Sequence, residues 1–115
     1  MSTYSKQFFS GSDSGRPIQV NQTSSPGSVV HTTEEDSVDE VWIWASNSGS
    51  SAETLTIQFG GTSDSDSIVI VDIQEKTGLV LLVPGIPLTG GNSVRVFSSS
   101  AADILVSGFV NRISE

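Results

Sequence analysis

Cysteine is absent from this 115-residue sequence, and histidine and methionine occur once each. Without cysteine the chain can form neither a disulfide nor a thiolate metal site, so we expect its stability to come from packing and from oligomerisation. His31 falls in a predicted strand, with no serine or cysteine nucleophile beside it in a familiar motif. A histidine in this setting is more often a half-buried structural residue than a catalytic base. We therefore predict no catalytic residue, no metal ligand and no cofactor.

Basic residues are also scarce, at five against 13 acidic ones, which gives a formal net charge of -8. Such a surface repels a phosphate backbone and an anionic bilayer, so nucleic acid and membrane are both poor partners. No apolar run approaches the roughly 20 residues of a membrane helix, and the first residues lack the apolar stretch of a signal peptide. These features predict a soluble protein made in a cytoplasm.

Short clusters of β-branched residues, separated by Gly, Ser, Asn and Asp, make up most of the remaining sequence. This pattern predicts an all-β domain over residues 17–115, an antiparallel β-sandwich or jelly roll of about eight strands, preceded by an extended N-terminal arm over 1–16. Turn residues, including Pro84-Gly85-Ile86-Pro87, separate the strands. The predicted strands are 18–21, 28–32, 38–46, 53–59, 67–73, 78–83, 93–98 and 104–112.

Several predicted strands are apolar on both faces. The twofold periodicity of a strand sends Val41, Ile43 and Ala45 to one side and Trp42 and Trp44 to the other. One small core can absorb only one of these sides, so the second needs another subunit, a larger surface or a cover of loops and arm. We predict that Trp42 and Trp44 form an interface. Two exposed indole rings could also serve as a carbohydrate platform.

The predicted arm is polar apart from Tyr4 and the adjacent Phe8 and Phe9. Chain termini often fray unless other groups hold them, so a disordered tail is one interpretation. The paired phenylalanines favour an arm that docks on a neighbour. We add Phe8 and Phe9 to the predicted interface residues.

Acidic residues cluster at Asp64-Ser65-Asp66, where oxygen ligands could contribute to a calcium site. The spacing lacks the further ligands and the glycine of an EF-hand loop, so solvated loop acids are the simpler interpretation. A glycan-cleaving pair of carboxylates also needs two acids held across a cleft, which spacing alone does not indicate. We leave cation binding by Asp64 and Asp66 open and do not adopt the enzyme.

Five segments carry a resemblance to a known group of proteins. They read SKQFFSGS at 5–12, RPIQV at 16–20, DEVWIWASN at 39–47, KTGLVLLVPG at 76–85 and GFVNRI at 108–113. In these segments the chain resembles small virion proteins of tailed bacteriophages, which are similar in size and character to capsid decoration, or cement, proteins. The resembling segments are structural strand and turn residues, with no catalytic residues among them to carry over.

The resemblance implies a function in assembly. Decoration subunits are β-sandwiches or jelly rolls, often homotrimers, that sit on the capsid exterior and bridge neighbouring copies of the major capsid protein. The chain would then be synthesised in the host bacterial cytoplasm and end in the virion. A tail or head-tail connector component is an alternative within the same particle. A calcium- or carbohydrate-binding β-sandwich module is the alternative from a different class.

Overall fold

The computed structural model describes residues 2–114 and confirms the predicted antiparallel β-sandwich, with nine strands in two sheets. Four predicted strands have the bounds that the structure shows, and a short 3-10 turn at Asp64–Asp66 precedes β6. The described residues include no helix long and apolar enough to cross a bilayer. The strands are β1 Thr3–Gln7, β2 Ile18–Gln19, β3 Ser28–Thr32, β4 Ser37–Asn47, β5 Glu53–Phe59, β6 Ser67–Ile73, β7 Val80–Thr89, β8 Ser93–Ser98 and β9 Ile104–Ser114.

The five-stranded sheet has the order β1-β9-β4-β7, with β2 also paired to β9. The four-stranded sheet has the order β3-β8-β5-β6. Strands β4 and β9 are the longest, and they pair along their full length from Ser37 opposite Ser114 to Asn47 opposite Ile104. This central pair fixes the side chains on both faces of the five-stranded sheet.

The core lies between the two sheets, and along β4 the side chains alternate between the core and the outer face. Along β4, Val41, Ile43 and Ala45 are fully buried, whereas Trp42 and Trp44 lie on the opposite face and are half-buried. Burial of a side chain of valine or isoleucine size contributes about 1.5–3 kcal/mol relative to an exposed one, so the inward set defines the register. The other buried core residues are Phe9, Val20, Val30, Leu55, Ile57, Ile73, Val83, Val94, Val96, Ile104, Val106 and Val110.

The continuous apolar runs of the sequence also alternate in the structure. In β6, Val69 and Val71 pack against the core while Ile68 and Ile70 are exposed. In β9, Ile104 and Val106 are buried. Each of these strands uses one face for the core, which leaves apolar side chains on the outer face of both sheets.

The prediction of a turn at Pro84-Gly85-Ile86-Pro87 is wrong, because β7 runs through it to Thr89. Proline lacks the N–H that a central strand needs, but β7 lies at the edge of its sheet, where one row of backbone groups has no strand partner. The β4–β7 register shifts between Val41 and Trp42 and again between Ile43 and Trp44. These bulges accommodate the prolines within an edge strand.

The N-terminal segment packs on its own chain. Strand β1 pairs with β9, from Thr3 opposite Ser114 to Gln7 opposite Val110. Beyond it, the Gly11 N–H donates to the Val30 carbonyl of β3 at 2.9 Å. The segment therefore joins one sheet to the other across the end of the sandwich.

Candidate functional site

The outer face of the five-stranded sheet carries a cluster of apolar rings. Trp42 and Trp44 project from β4, Phe109 lies opposite Trp42 on β9, and Leu81 lies opposite Trp44 on β7. Lys6 of β1 extends over the Phe109 ring, with its Nζ 5.1 Å from the ring centroid. We call these five residues the aromatic face.

The three rings form a triangle with nearly parallel planes. The centroids of Trp42 and Trp44 are 6.2 Å apart, those of Trp42 and Phe109 are 6.1 Å apart, and those of Trp44 and Phe109 are 6.2 Å apart. The interplanar angles are 12–26°. Equal separations exclude a single column of rings, because the outer two would then lie about twice as far apart. Rings arranged in this way present a broad apolar area rather than a narrow ridge.

Gly85 makes room for the Trp42 ring beside β7. A β-carbon at Gly85 would lie 2.8 Å from Cζ2 of Trp42, and the backbone there has a φ of +76°. Both features favour glycine, which has no side chain to collide with the indole and adopts positive φ without strain. The glycine of the proposed turn thus has its function in positioning Trp42.

The aromatic face remains partly open to solvent in the single chain. Leu81 is 44% exposed, and Val38, which lies on the same face of β4 as Trp42, is also exposed. Aromatic side chains contribute much of the energy of protein interfaces, whereas none of the five side chains of the face is a carboxylate, thiol or histidine. The face is therefore suited to adhesion.

The predicted interface residues fall in three places. Trp42 and Trp44 come together in the aromatic face. Phe8 is 65% exposed and lies over Gly15, where a β-carbon would come within 3.0 Å of the Phe8 ring.

Phe9 does not fit the interface prediction, because it is 2% exposed and belongs to the core of its own chain. Its ring centroid lies 5.9 Å from that of His31. The physical reason is local geometry: Ser10 and Gly11 bond to β3, which directs the preceding ring between the sheets. Phe9 anchors the N-terminal segment inside its own subunit.

Phe109 and Lys6 are functional candidates that sequence reasoning missed. The alternation of Phe109 with buried Val110 indicates only that Phe109 faces away from the core. Its position opposite Trp42 follows from the β4–β9 register, which requires the structure.

A buried polar network connects the N-terminal segment to both sheets. The Ser10 N–H donates to Nδ1 of His31 at 3.0 Å, so Nδ1 must be an acceptor and the ring proton resides on Nε2. That Nε2–H donates to Oδ2 of Asp39 at 2.7 Å. Arg112 donates to both oxygens of Asp39, at 2.9 and 3.0 Å.

Asp39 is a charged group in this network. Burial raises the pKa of Asp39, but the hydrogen bonds and positive charge of Arg112, with the hydrogen bond of His31, outweigh burial and lower it below its usual value of 3.8. The Asp39 hydrogen bonds in turn raise the pKa of Arg112. His31 and Asp39 are 1% and 0% exposed. Ser10 meets the His31 ring through its backbone N–H, while its hydroxyl bonds to the Thr32 N–H, so this contact is not that of a Ser-His-Asp triad.

The acids of the 64–66 turn have local structural contacts. Asp66 accepts hydrogen bonds from the N–H and the hydroxyl of Ser63, at 3.1 and 2.6 Å. Within residues 2–114 no group of three or more His, Cys, Asp or Glu side chains is placed to hold a metal ion. Cation binding by Asp64 and Asp66 gains no support from this arrangement.

Glu53 is a buried carboxyl at the start of β5, 5% exposed, and within residues 2–114 neither of its oxygens has a hydrogen-bond donor in acceptable geometry. Burial and the neighbouring carboxyl of Asp103 raise the pKa of Glu53 above 4.5, and polar groups of Ser100 oppose this only in part. A buried carboxyl without a donor is destabilising when charged.

We expect Glu53→Gln to stabilise the protein at pH 7 by about 1 kcal/mol, or roughly 4 °C in Tm for a domain of this size. Because the folded-state pKa is raised, the contribution of Glu53 to stability is full below pH 4.5 and is lost as pH rises through the folded pKa. The gain from Glu53→Gln should therefore shrink at pH 4. Thermal melts at pH 4 and 7 measure this, with exposed Glu35→Gln as the control. An equal gain at both pH values would contradict it.

The four-stranded sheet carries a shallow depression of about 150 Å³, lined by Thr54, Thr56, Phe97 and the residues beside them. Small-molecule sites commonly occupy about 300–1,000 Å³, so this depression is too small for a typical ligand. The aromatic face is the stronger candidate.

We compared the chain with known proteins and found no match. No family model, no curated protein and no solved structure matches the chain.

Proposed function

We propose that this protein is a structural subunit of a tailed-phage virion, a decoration subunit that binds the capsid exterior and stabilises the lattice of the major capsid protein. The aromatic face is the observation that carries the proposal. Trp42, Trp44 and Phe109 offer a broad adhesive area on a rigid sheet, as a protein that binds a preformed shell requires. The role is non-enzymatic.

The energetics favour the aromatic face over the N-terminal segment as the contact. Apolar area contributes about 25 cal/mol per Å² removed from water, and the aromatic rings are already fixed by stacking and by the sheet. Phe9 is buried and β1 is paired to β9, so little of the N-terminal segment is free to reach a neighbour. The net charge of -8 would speed docking to a basic shell surface at low salt.

Replacing Trp42 by serine should weaken binding to empty phage heads by at least about tenfold, as expected for an aromatic residue at the centre of an interface. Co-sedimentation of the purified protein with heads measures the effect. Leu79→Ser is the matched control, because Leu79 is 64% exposed and lies before β7, outside the aromatic face. Unchanged binding by a Trp42→Ser protein that melts cooperatively would refute the assignment of this face.

Copy number tests the location in the particle. A decoration subunit should approach the abundance of the major capsid protein, whereas a tail or connector component should be present in a few to a few dozen copies. Quantitative mass spectrometry of purified virions measures the ratio.

A carbohydrate-binding module is the second candidate, and the nearly parallel rings of Trp42, Trp44 and Phe109 favour it. Sugar rings stack their apolar faces on aromatic side chains. Affinity electrophoresis in gels containing soluble polysaccharides tests this function. Retardation that Trp44→Ser abolishes would support the carbohydrate function over the capsid one.

A further inference from the structure

The two sheets of the sandwich have four edges, and three of them carry features that block pairing with another strand. Edge strand β7 contains Pro84 and Pro87 together with two bulges. Strand β1 is short and carries Lys6. Natural proteins use proline, bulges, short strands and lysine in this way to prevent edge-to-edge association.

The third protected edge is β3, which the N-terminal segment covers. Ser10 accepts a hydrogen bond through its hydroxyl from the Thr32 N–H, and Gly11 donates to the Val30 carbonyl. The strand is also bulged between Val29 and His31. A second chain would have to displace this segment before it could pair with β3.

The fourth edge, β6, carries fewer of these features: one bulge, at Ile68, and one charged side chain, Asp72. It pairs with β5 on one side and has no strand partner among residues 2–114 on the other, and its one irregularity is at Ile68, so residues 69–73 form a regular edge. Ile70, at the middle of the strand, is 68% exposed and Ile68 is 47% exposed. Strand β6 contains no proline, glycine, lysine or arginine.

We propose that β6 pairs antiparallel with β6 of a second copy of this chain, which joins two four-stranded sheets into one of eight strands. The strand is self-complementary about a twofold axis at Ile70. In that register Ile70 lies opposite Ile70 of the second copy and Val69 lies opposite Val71. The exposed isoleucines then cover each other on the outer face, while the valines keep their contacts with the two cores.

The twofold register also keeps like charges from lying directly opposite each other. Asp72 is the one charged residue of β6, and its Oδ1 accepts a hydrogen bond from the Thr54 hydroxyl at 2.6 Å within the chain. In the twofold register each Asp72 lies opposite Ile68 and not opposite the other Asp72. Like charges directly opposite would be destabilising, and this pairing avoids them.

The absence of cysteine provides a direct test by crosslinking. Ile70→Cys should form a disulfide-linked pair of two 12.1 kDa chains under mild oxidation, because the twofold axis brings the two thiols together. Tyr4→Cys is the matched control, since Tyr4 is also 68% exposed but lies on β1. We expect Ile70→Cys to crosslink at least about tenfold faster than Tyr4→Cys, because pairing of the strands raises the effective concentration of the second thiol. Equal rates would overturn the proposal.

Solution mass tests the unmodified protein. Light scattering should give a dimer for the natural chain and a monomer for Ile70→Lys, which places two like charges across the axis at an exposed position. A natural homotrimer, the state that the resemblance implies, or a dimer that persists in a cooperatively melting Ile70→Lys would refute β6 pairing. Neither result bears on the aromatic face, so the capsid proposal is tested independently.

Discussion

Replacing Asp39 by asparagine should destabilise the protein by about 3–5 kcal/mol, the loss typical when one partner of a buried ion pair is removed. Asparagine keeps the shape of the side chain but presents one N–H₂ group where aspartate had only acceptors. In one orientation that group faces the Nε2–H of His31, and in the other it faces Arg112. Either orientation sets a donor against a donor inside the core.

His31 cannot relieve this conflict by changing tautomer. Moving the proton to Nδ1 would free Nε2 to accept from asparagine, but Nδ1 already accepts from the Ser10 N–H. The Nδ1–H of His31 would then face the Ser10 N–H, and this donor-donor contact would loosen the N-terminal segment from β3. Chemical unfolding measures the free energy, and hydrogen exchange at Ser10 and Gly11 reports the local effect.

Asp36→Asn is the matched control, because Asp36 is exposed three residues earlier in the chain. We expect it to change stability by no more than about 0.5 kcal/mol. An Asp39→Asn loss as small as that of the control would show that the network contributes little.

Lowering the pH should remove the contribution of charged Asp39 to the stability of the natural protein. Since the folded-state pKa of Asp39 is lowered, its contribution is present above the usual value of 3.8 and is lost as pH falls through the lower, folded-state pKa. The natural protein and Asp39→Asn should therefore converge in stability below pH 3.8. A difference between them that does not shrink as the pH falls below 3.8 would contradict the charged state of Asp39.

The sequence allows the fold to be predicted because the strand signal is local. Clusters of β-branched residues with turn residues on either side are enough to place β3, β5, β6 and β8, and in β5 the alternation over 53–59 also indicates the buried face. The turn predicted at 84–87 shows where local reasoning stops. Proline is compatible with either a turn or an edge strand, and only the order of the strands in the sheet decides between them.

The polar network was beyond prediction for a related reason. Arg112 is 73 residues from Asp39, and the two meet only because β4 pairs with β9. His31 is eight residues from Asp39, but their contact depends on how β3 packs against β4. In the sequence His31 is a lone histidine, Asp39 is one acid among several and Arg112 is one of few basic residues. Nothing in the sequence links the three. The sequence predicts part of the aromatic face, because Trp42 and Trp44 lie on one side of the same strand. Phe109 lies beside them only because of the β4–β9 register, which the sequence does not indicate.

Gly108→Ala should destabilise the protein by more than about 3 kcal/mol, through steric overlap and backbone strain together. A β-carbon at Gly108 would overlap the Trp42 carbonyl oxygen and lie 3.0 Å from the Phe9 ring, at a φ of +153°. Both neighbours are fixed, one in the central β4–β9 ladder and the other in the core. The added methyl group must therefore push β9 away from β4.

The displacement should affect function as well as stability, because the next residue is Phe109. Moving β9 separates the Phe109 ring from Trp42, which would reduce the near-ultraviolet circular dichroism of the stacked rings even where the protein remains folded. Gly78→Ala is the control: Gly78 has a φ of +87° but no heavy atom within 4 Å of an added β-carbon, so it should cost about 1 kcal/mol from strain alone. If the two variants were equally stable, the close approach of β9 to Trp42 would be easily relaxed. The aromatic face would then owe its geometry to the stacked rings and not to the backbone beneath them.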